Sequence, residues 1–307
     1  MKTIELVLVG HPDKVCDGIA EVIKKQNPNG RNAIEVVWFN EKIIIGGETD
    51  KIWSLSELTT LVTEYLKNII GLTDEELNTI TVQSELNIQS PEINAVVGNS
   101  GAGDNGIFFG GWDKVYSPVI FGLKRLCIAL NAETLFEMGY RTDGKLIADI
   151  NEYGKVTRFV LNVASFEGKA KAELLKQKIQ ALCPINNIEI NPKGDWNKCF
   201  GFADSGLTGR KLACDTQCGL FGNGGGAWFG KDTSKADYSI PIYLMFRAKE
   251  MLQRNGIDNF VLTASTIIGD TKVYVKKITG ELVEEVDFAK IMDFAKNTCV
   301  DILGGFN

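Results

Sequence analysis

The 307-residue sequence contains one histidine, His11, and no Cys-x-x-Cys pair among its seven cysteines. A single imidazole cannot supply a histidine-rich metal centre. The scattered cysteines at 16, 127, 183, 199, 214, 218 and 299 indicate neither a zinc pattern nor a disulfide framework. Reduced thiols and a cytoplasmic location are the expectation. No apolar run approaches the ~18 residues of a membrane span, and the N-terminus has no long apolar segment, so neither membrane insertion nor secretion is expected. A basic excess is also missing. The net charge of −6 argues against a nucleic-acid partner, because cationic surface supplies most of such affinity.

What is present is an ordinary globular composition, 44% apolar and 23% charged, at a length that fits two domains or three small ones. Glycine is unevenly spread: ten of the 32 glycines fall between Gly194 and Gly230. Arg210, Lys211, Lys231 and Lys235 are threaded through or beside that stretch, and residues 193 to 235 hold six Lys or Arg against four Asp. Backbone without Cβ atoms can turn its N–H groups onto an anion while the cations neutralise it, so a local polyphosphate site is expected. Turn chemistry alone would also explain the glycines. Gly225, Gly230 and Lys231 fit G-x-x-x-x-G-K, but Asp232 stands where a P-loop needs a hydroxyl for Mg²⁺, and residues 221 to 224 are not a buried strand.

Taken in order, residues 4 to 9 read as a strand ending at Gly10, and a helix follows with His11 as its cap and Pro12 in its first turn. An imidazole beside free N–H groups is placed to meet an anion. Asp13 serves either the helix dipole or a metal. Lys14 implies an anion nearby, because a cation at a helix N-terminus is otherwise unfavourable. Residues 32 to 50 read as a hairpin about Asn40-Glu41, and 54 to 71 as a helix with a Ser54/Glu57 capping box. The same order recurs in a hairpin at 146 to 165 turning at Tyr153-Gly154, with a helix at 168 to 182. It recurs again in a hairpin at 259 to 279 turning at Gly269-Asp270, with a helix at 287 to 303. The expected fold is therefore α+β, with three similar hairpin-plus-helix subdomains around a pseudo-threefold axis. Residues 87 to 111 fit no regular element, and a loop of that length is functional or disordered. A further helix is expected from Pro241 to Gln253, with Asp237 beside its start. Asp13 and Asp237 could then share Mg²⁺, which prefers oxygen ligands and phosphate.

These residues resemble the S-adenosylmethionine synthetase (methionine adenosyltransferase) family. The match rests on GHPDKVCDGIA at 10 to 20, GGE at 46 to 48, QSPEIN at 89 to 94, GAGDNGIFFG at 101 to 110, GLTGRK at 206 to 211, GGGAWFGKD at 224 to 232 and SKAD at 234 to 237. It covers most of the chain from Glu5 to about residue 280. The resemblance implies three interleaved subdomains: 1–9 with 115–198, 10–94 with 199–238, and 95–114 with 239–307. It implies attack of the methionine sulfur on C5′ of ATP, with the released tripolyphosphate hydrolysed in place to pyrophosphate and phosphate. The alternative is a nucleotide-binding relative that has lost turnover.

By resemblance, His11, Lys145, Arg210, Lys211, Lys231 and Lys235 are catalytic, His11 at the ribose O5′ and the cations around the triphosphate. Asp143, Trp196 and Asp204 are expected at the nucleoside, and Glu48, Gln89, Asp104 and Lys235 at methionine. Asp13 and Asp237 are the implied Mg²⁺ ligands, two ions per site, and Glu35 the implied K⁺ ligand. A homodimer with sites between subunits is implied as well. The chain departs from the family pattern at Val9, where an acid is usual, at Asn223, where His is usual, and at Asn105, where Gln is usual. The segment between Asn94 and Gly101, the family's mobile loop, is shorter than usual, and so is the C-terminal region.

Overall fold

The computed structural model describes residues 1–98 and 100–305. Asn99, within the expected short loop at 94 to 101, and Phe306 and Asn307, at the end of the expected third subdomain, lie outside the described residues.

Along the chain, β1 (Lys2–Val7) leads into α1 (Pro12–Lys25), and β2 (Asn32–Phe39) and β3 (Lys42–Thr49) form the first hairpin. Asn40 turns that hairpin at φ +51°, a left-handed conformation that Asn tolerates. Next come α2 (Leu55–Tyr65), α3 (Asp74–Thr79), β4 (Thr81–Ile88), α4 (Pro91–Gly98), β5 (Gly106–Asp113), α5 (Tyr116–Ala129) and α6 (Ala132–Glu137). The expected capping box is present: Ser54 Oγ accepts from Glu57 N while the Glu57 carboxylate accepts from Ser54 N, a device that contributes about 1 kcal/mol. The second hairpin is β6 (Tyr140–Ile150) and β7 (Val156–Ser165), followed by α7 (Ala172–Leu182), β8 (Ile188–Ile190), β9 (Gly206–Leu207) and α8 (Leu212–Asp215). The chain continues through α9 (Ala236–Asn255), β10 (Asn259–Thr266), β11 (Lys272–Lys277), β12 (Leu282–Asp287) and α10 (Phe288–Lys296).

The strands make three four-stranded sheets, ordered β1-β6-β7-β8, β9-β2-β3-β4 and β5-β10-β11-β12. In each, an antiparallel hairpin is flanked on its first strand by an antiparallel strand from elsewhere in the chain. In the first two sheets the hairpin's second strand pairs in parallel with a strand that returns after a helix. In the third, β12 follows β11 directly and pairs antiparallel, so the unit recurs with one change. Helices cover one face of each sheet. Val15, Ile19 and Ile23 of α1 and Leu58 and Val62 of α2 pack on Ile34, Val36, Trp38, Ile43 and Ile45 of the β2-β3 hairpin, all of them buried. The mixed architecture is the expected α+β fold.

Three expectations about local structure need correction. Residues 87 to 111 are not a long loop, because α4 and β5 fall inside them. β5 is obscured in sequence by its glycines, yet Gly110 and Gly111 are required there: a Cβ would lie 2.5 Å from Leu244 Cβ at one and 2.6 Å from Phe221 Cγ at the other. Helix α9 starts at Ala236 and not at Pro241, which sits one turn inside and cannot donate to the carbonyl four residues back. Finally, α10 ends at Lys296, and β12 before it was not expected. β12 alternates weakly because Glu284 is partly buried, accepting from Arg247 Nε at 2.9 Å and Nη2 at 3.0 Å.

Candidate active site

The residues singled out from sequence fall into two clusters. The first surrounds the N-terminus of α1. Gly10 is needed at its entry because a Cβ would lie 2.2 Å from Thr142 Oγ1. His11 caps the helix, its Nδ1 accepting from Asp13 N at 3.3 Å, which leaves Nε2 to carry the proton of the neutral ring. Burial first, and then the Lys211 ammonium, lower the imidazole pKa from 6.5 to about 4. His11 is therefore a neutral donor at pH 7.

Asp13 is fully buried. Its Oδ1 accepts from Leu207 N at 3.0 Å and faces Arg210 Nε at 3.1 Å, and its Oδ2 accepts from Lys211 Nζ at 2.6 Å. One helical turn later, Asp17 Oδ1 accepts from Gly209 N at 2.8 Å. Two carboxylates four residues apart thus hold the 207–209 backbone and present Arg210 and Lys211. Asp143, on β6, accepts from Phe200 N at 2.8 Å, and its carboxyl is pushed up to about 6, chiefly by burial. Lys145 stands on the same strand, half-exposed and 3.7 Å from Glu5. Lys145 and Asp204 both act electrostatically on His11. Trp196 packs partly buried against the core beneath the β2-β3 hairpin, and its carbonyl accepts from Ser165 N at 2.8 Å.

The second cluster lines a cavity of about 500 Å³ that holds Glu35 of β2, Glu48 of β3, Gln89, Asp104, Lys231, Lys235 and Asp237. Gln89 Nε2 donates to Glu48 Oε2 at 3.1 Å, Lys235 lies 3.9 Å from Glu48, and Lys231 donates to Asp237 at 2.6 Å. Gln89 Oε1 is buried and has no hydrogen-bond partner among the described residues. Burial, then the neighbouring Arg31, lower the Lys235 pKa. Asp237 lies against the Gly226 backbone so closely that a Cβ there would be 1.9 Å from its Cγ.

The glycine-rich stretch is therefore not one polyphosphate loop. Its first half pairs with β2 at Val37 through Leu207 and its second at Ala33 through Lys231. Four residues of strand separate them, about 13 Å. Between the two, α8 and the buried Trp228 and Phe229 turn the chain into the interior. Asp237 lines the cavity and Asp13 does not, so within one chain the two aspartates are not brought to a shared ion. Among the described residues no group of three or more His, Cys, Asp or Glu is arranged to hold a metal.

Lys14 has its anions inside the protein: Asp17 Oδ2 at 2.8 Å and Asp215 Oδ1 at 2.6 Å, with the Phe229 ring 4.1 Å away. Burial is the largest cause raising the Asp215 carboxyl to about 6. Beside it, Lys124 donates to the carbonyls of Asp215 and Thr216 at 2.8 and 2.6 Å. This network was not read from sequence. The i, i+3 spacing of Lys14 and Asp17 was the available signal, whereas Asp215 lies 201 residues away from Lys14.

Because His11 is the only histidine, its effect on stability is separable. An unfolded imidazole titrates near 6.5 and the folded one near 4, so the unfolded chain binds the extra proton as pH falls between these values and stability drops. Urea midpoints of wild type and His11→Asn should therefore converge, or cross in the variant's favour, from pH 7 to pH 4.5. A constant difference would show that the ring is not buried neutral.

The family models described as S-adenosylmethionine synthetase, N-terminal domain, and S-adenosylmethionine synthetase, C-terminal domain, match residues 1–91 and 201–300. The S-adenosylmethionine synthase of Oenococcus oeni is 31% identical, the alignment covering 87% of this chain and 78% of the relative. That of Acholeplasma laidlawii is 30% identical over 98% of this chain and 89% of the relative. A solved structure described as an unusual S-adenosylmethionine synthetase from Campylobacter jejuni superposes with a TM-score of 0.73 at 27% identity, covering 95% of this chain and 84% of that one.

Proposed function

Since the chain belongs to the S-adenosylmethionine synthetase family and is a methionine adenosyltransferase making S-adenosylmethionine from ATP and methionine, we propose that each catalytic site is assembled from the two clusters of two different copies. The observation that carries this reading is their separation on one chain. Both border the outward face of the β2-β3 hairpin, where Val37 and Ile44 are partly exposed and Phe39 and Leu207 are 41% and 37% exposed. A two-fold axis through that face sets one copy's His11 end against the other's Lys231 end, and covers the apolar residues.

In the assembled site, Arg210, Lys211 and Lys145 from one side and Lys231 and Lys235 from the other surround the triphosphate. His11 Nε2–H donates to O5′, and Asp143, Asp204 and Trp196 border the nucleoside. Glu48, Asp104 and the orphaned Gln89 Oε1 receive the methionine ammonium, and Lys235 its carboxylate. A neutral thioether is a modest nucleophile, so the rate comes from alignment and from stabilising the leaving polyanion. The same cations hold the tripolyphosphate for its hydrolysis to pyrophosphate and phosphate. The donor set fits Mg²⁺ that arrives with phosphate: Asp13 and Asp237 offer hard oxygens, each already beside a lysine, and substrate oxygens must complete the shell. When bound, Mg²⁺ supplies charge neutralisation to the departing chain. Glu35, exposed in the cavity, offers one carboxylate to K⁺. Among the described residues no helix is long and apolar enough to cross a membrane.

Subunit mixing tests the assembly. Lys211→Met and Lys231→Met homodimers should each be nearly inactive, and after exchange of subunits activity should return to about a quarter of wild type. Half of the dimers are then mixed, and each has one intact site of two. No recovery despite exchange verified by mass spectrometry would place both lysines in one subunit's site.

A further inference from the structure

A cavity of about 610 Å³ lies away from both clusters, between α5 and the C-terminal half of α9. Its floor is aromatic: Trp112 stacks on Phe121 with centroids 5.2 Å apart and planes at 14°, and Phe246 closes one side. Its polar groups are Lys114, Arg125, Lys249 and Gln253, and among the described residues no carboxylate lines it. In a chain of net charge −6, three cations around a pocket without an acid reverse the local field.

These groups are also poorly paired. Lys114 is 3.8 Å from Asp258, with both side chains mostly exposed. The side chains of Arg125 and Gln253 make no hydrogen bond or ion pair among the described residues. Among the described residues Lys249 has only the Trp112 ring, its ammonium 4.7 Å from the centroid. A cation resting on a ring is held less firmly than one bonded to an oxyanion, so Lys249 can leave the indole for an anionic group and open that face. Cavities of this volume take small organic ligands.

We propose that this cavity is a second ligand site, for a small aromatic anion whose ring stacks on the Trp112 face that Lys249 vacates and whose phosphate or carboxylate is held by Arg125 and Lys249. The site is independent of the transfer reaction: Lys249 stands roughly 18 Å along α9 from Asp237, and no lining residue is shared with the catalytic cavity.

Calorimetric titration of the full chain with 1-naphthyl phosphate and 2-naphthoate tests it, with neutral 1-naphthol as control and each titration repeated under saturating methionine. At least one anion should bind at about 1 mM or tighter. Arg125→Gln and Lys249→Gln should each weaken that binding about tenfold and leave the rate of S-adenosylmethionine formation unchanged. Preference for phosphate or for carboxylate identifies the acid the site selects, and either upholds it. Equal binding of 1-naphthol, displacement by methionine, or undiminished binding when Arg125→Gln and Lys249→Gln are combined would overturn it. These results are independent of subunit mixing, so failure here leaves the assembled catalytic site untouched.

Discussion

His11→Asn is expected to cut S-adenosylmethionine formation by a factor on the order of 10² to 10⁴, the usual size of acid-base or electrostatic assistance from one side chain. Hydrolysis of added tripolyphosphate should fall far less. The two activities separate because they ask different things of the site. Breaking C5′–O5′ places negative charge on O5′, and in the proposed site His11 meets it with Nε2–H, since Nδ1 is engaged by Asp13 N. Hydrolysis of the bound polyphosphate depends on the cations. Asparagine is a good cap, so α1 should survive the substitution and the loss can be assigned to chemistry. At a pKa near 4 the ring is already neutral at pH 6, and the wild-type rate should show no His11 titration between pH 6 and 8. The check is kcat for both reactions on one preparation. Parallel loss, or retention of both, would remove His11 from O5′.

Lys14→Met should destabilise the fold by about 3–5 kcal/mol, the cost of leaving buried carboxylates without their cation. Asp17 and Asp215 are both fully buried around Lys14, and among the described residues Asp215 Oδ2 already lacks a partner. Methionine fills much of the same volume, so the loss reports charge rather than a cavity. The sign with pH follows from the carboxyls. Their folded pKa values are raised, Asp215 to about 6, above an unfolded value near 3.8, so stability falls as pH rises through that interval. Without Lys14 the folded values rise further, and the deficit should be larger at pH 8 than at pH 5. Urea unfolding of wild type, Lys14→Met and Lys14→Met with Asp17→Asn and Asp215→Asn measures this, and the triple variant should regain part of the loss. A deficit below about 1 kcal/mol, unchanged by pH, would show that water already reaches the trio. Asp17 also holds Gly209 N, so loosening this network should disturb Arg210 and Lys211.

Helix α1, the capping box on α2 and all three hairpins were legible because each depends on neighbours a few residues apart. His11 as cap, Ser54 with Glu57 and Asn40 in its turn need no distant partner. The helix at 91–98 and β5 were not legible. Their glycine and asparagine content reads as loop, and only packing against α9 and pairing with β10 selects the strand. Lys14 was singled out for needing an anion, but its anions are internal, because α8 returns Asp215 to the start of α1.

The family and the α+β class were legible in the sequence, as were the cations that the proposed site turns on a polyphosphate. Those follow from residue types and local order. The tertiary structure alone decided their grouping: Asp13, Arg210 and Lys211 gather at one end of the hairpin face, and Glu48, Lys231 and Asp237 at the other. The physical reason lies in β2, which takes Leu207 at Val37 and Lys231 at Ala33 along one edge and so holds the two halves of a single glycine-rich stretch apart. Strand register is set by pairing Val37 with Leu207 and Ala33 with Lys231, partners far apart in the chain, and no spacing within the stretch encodes it.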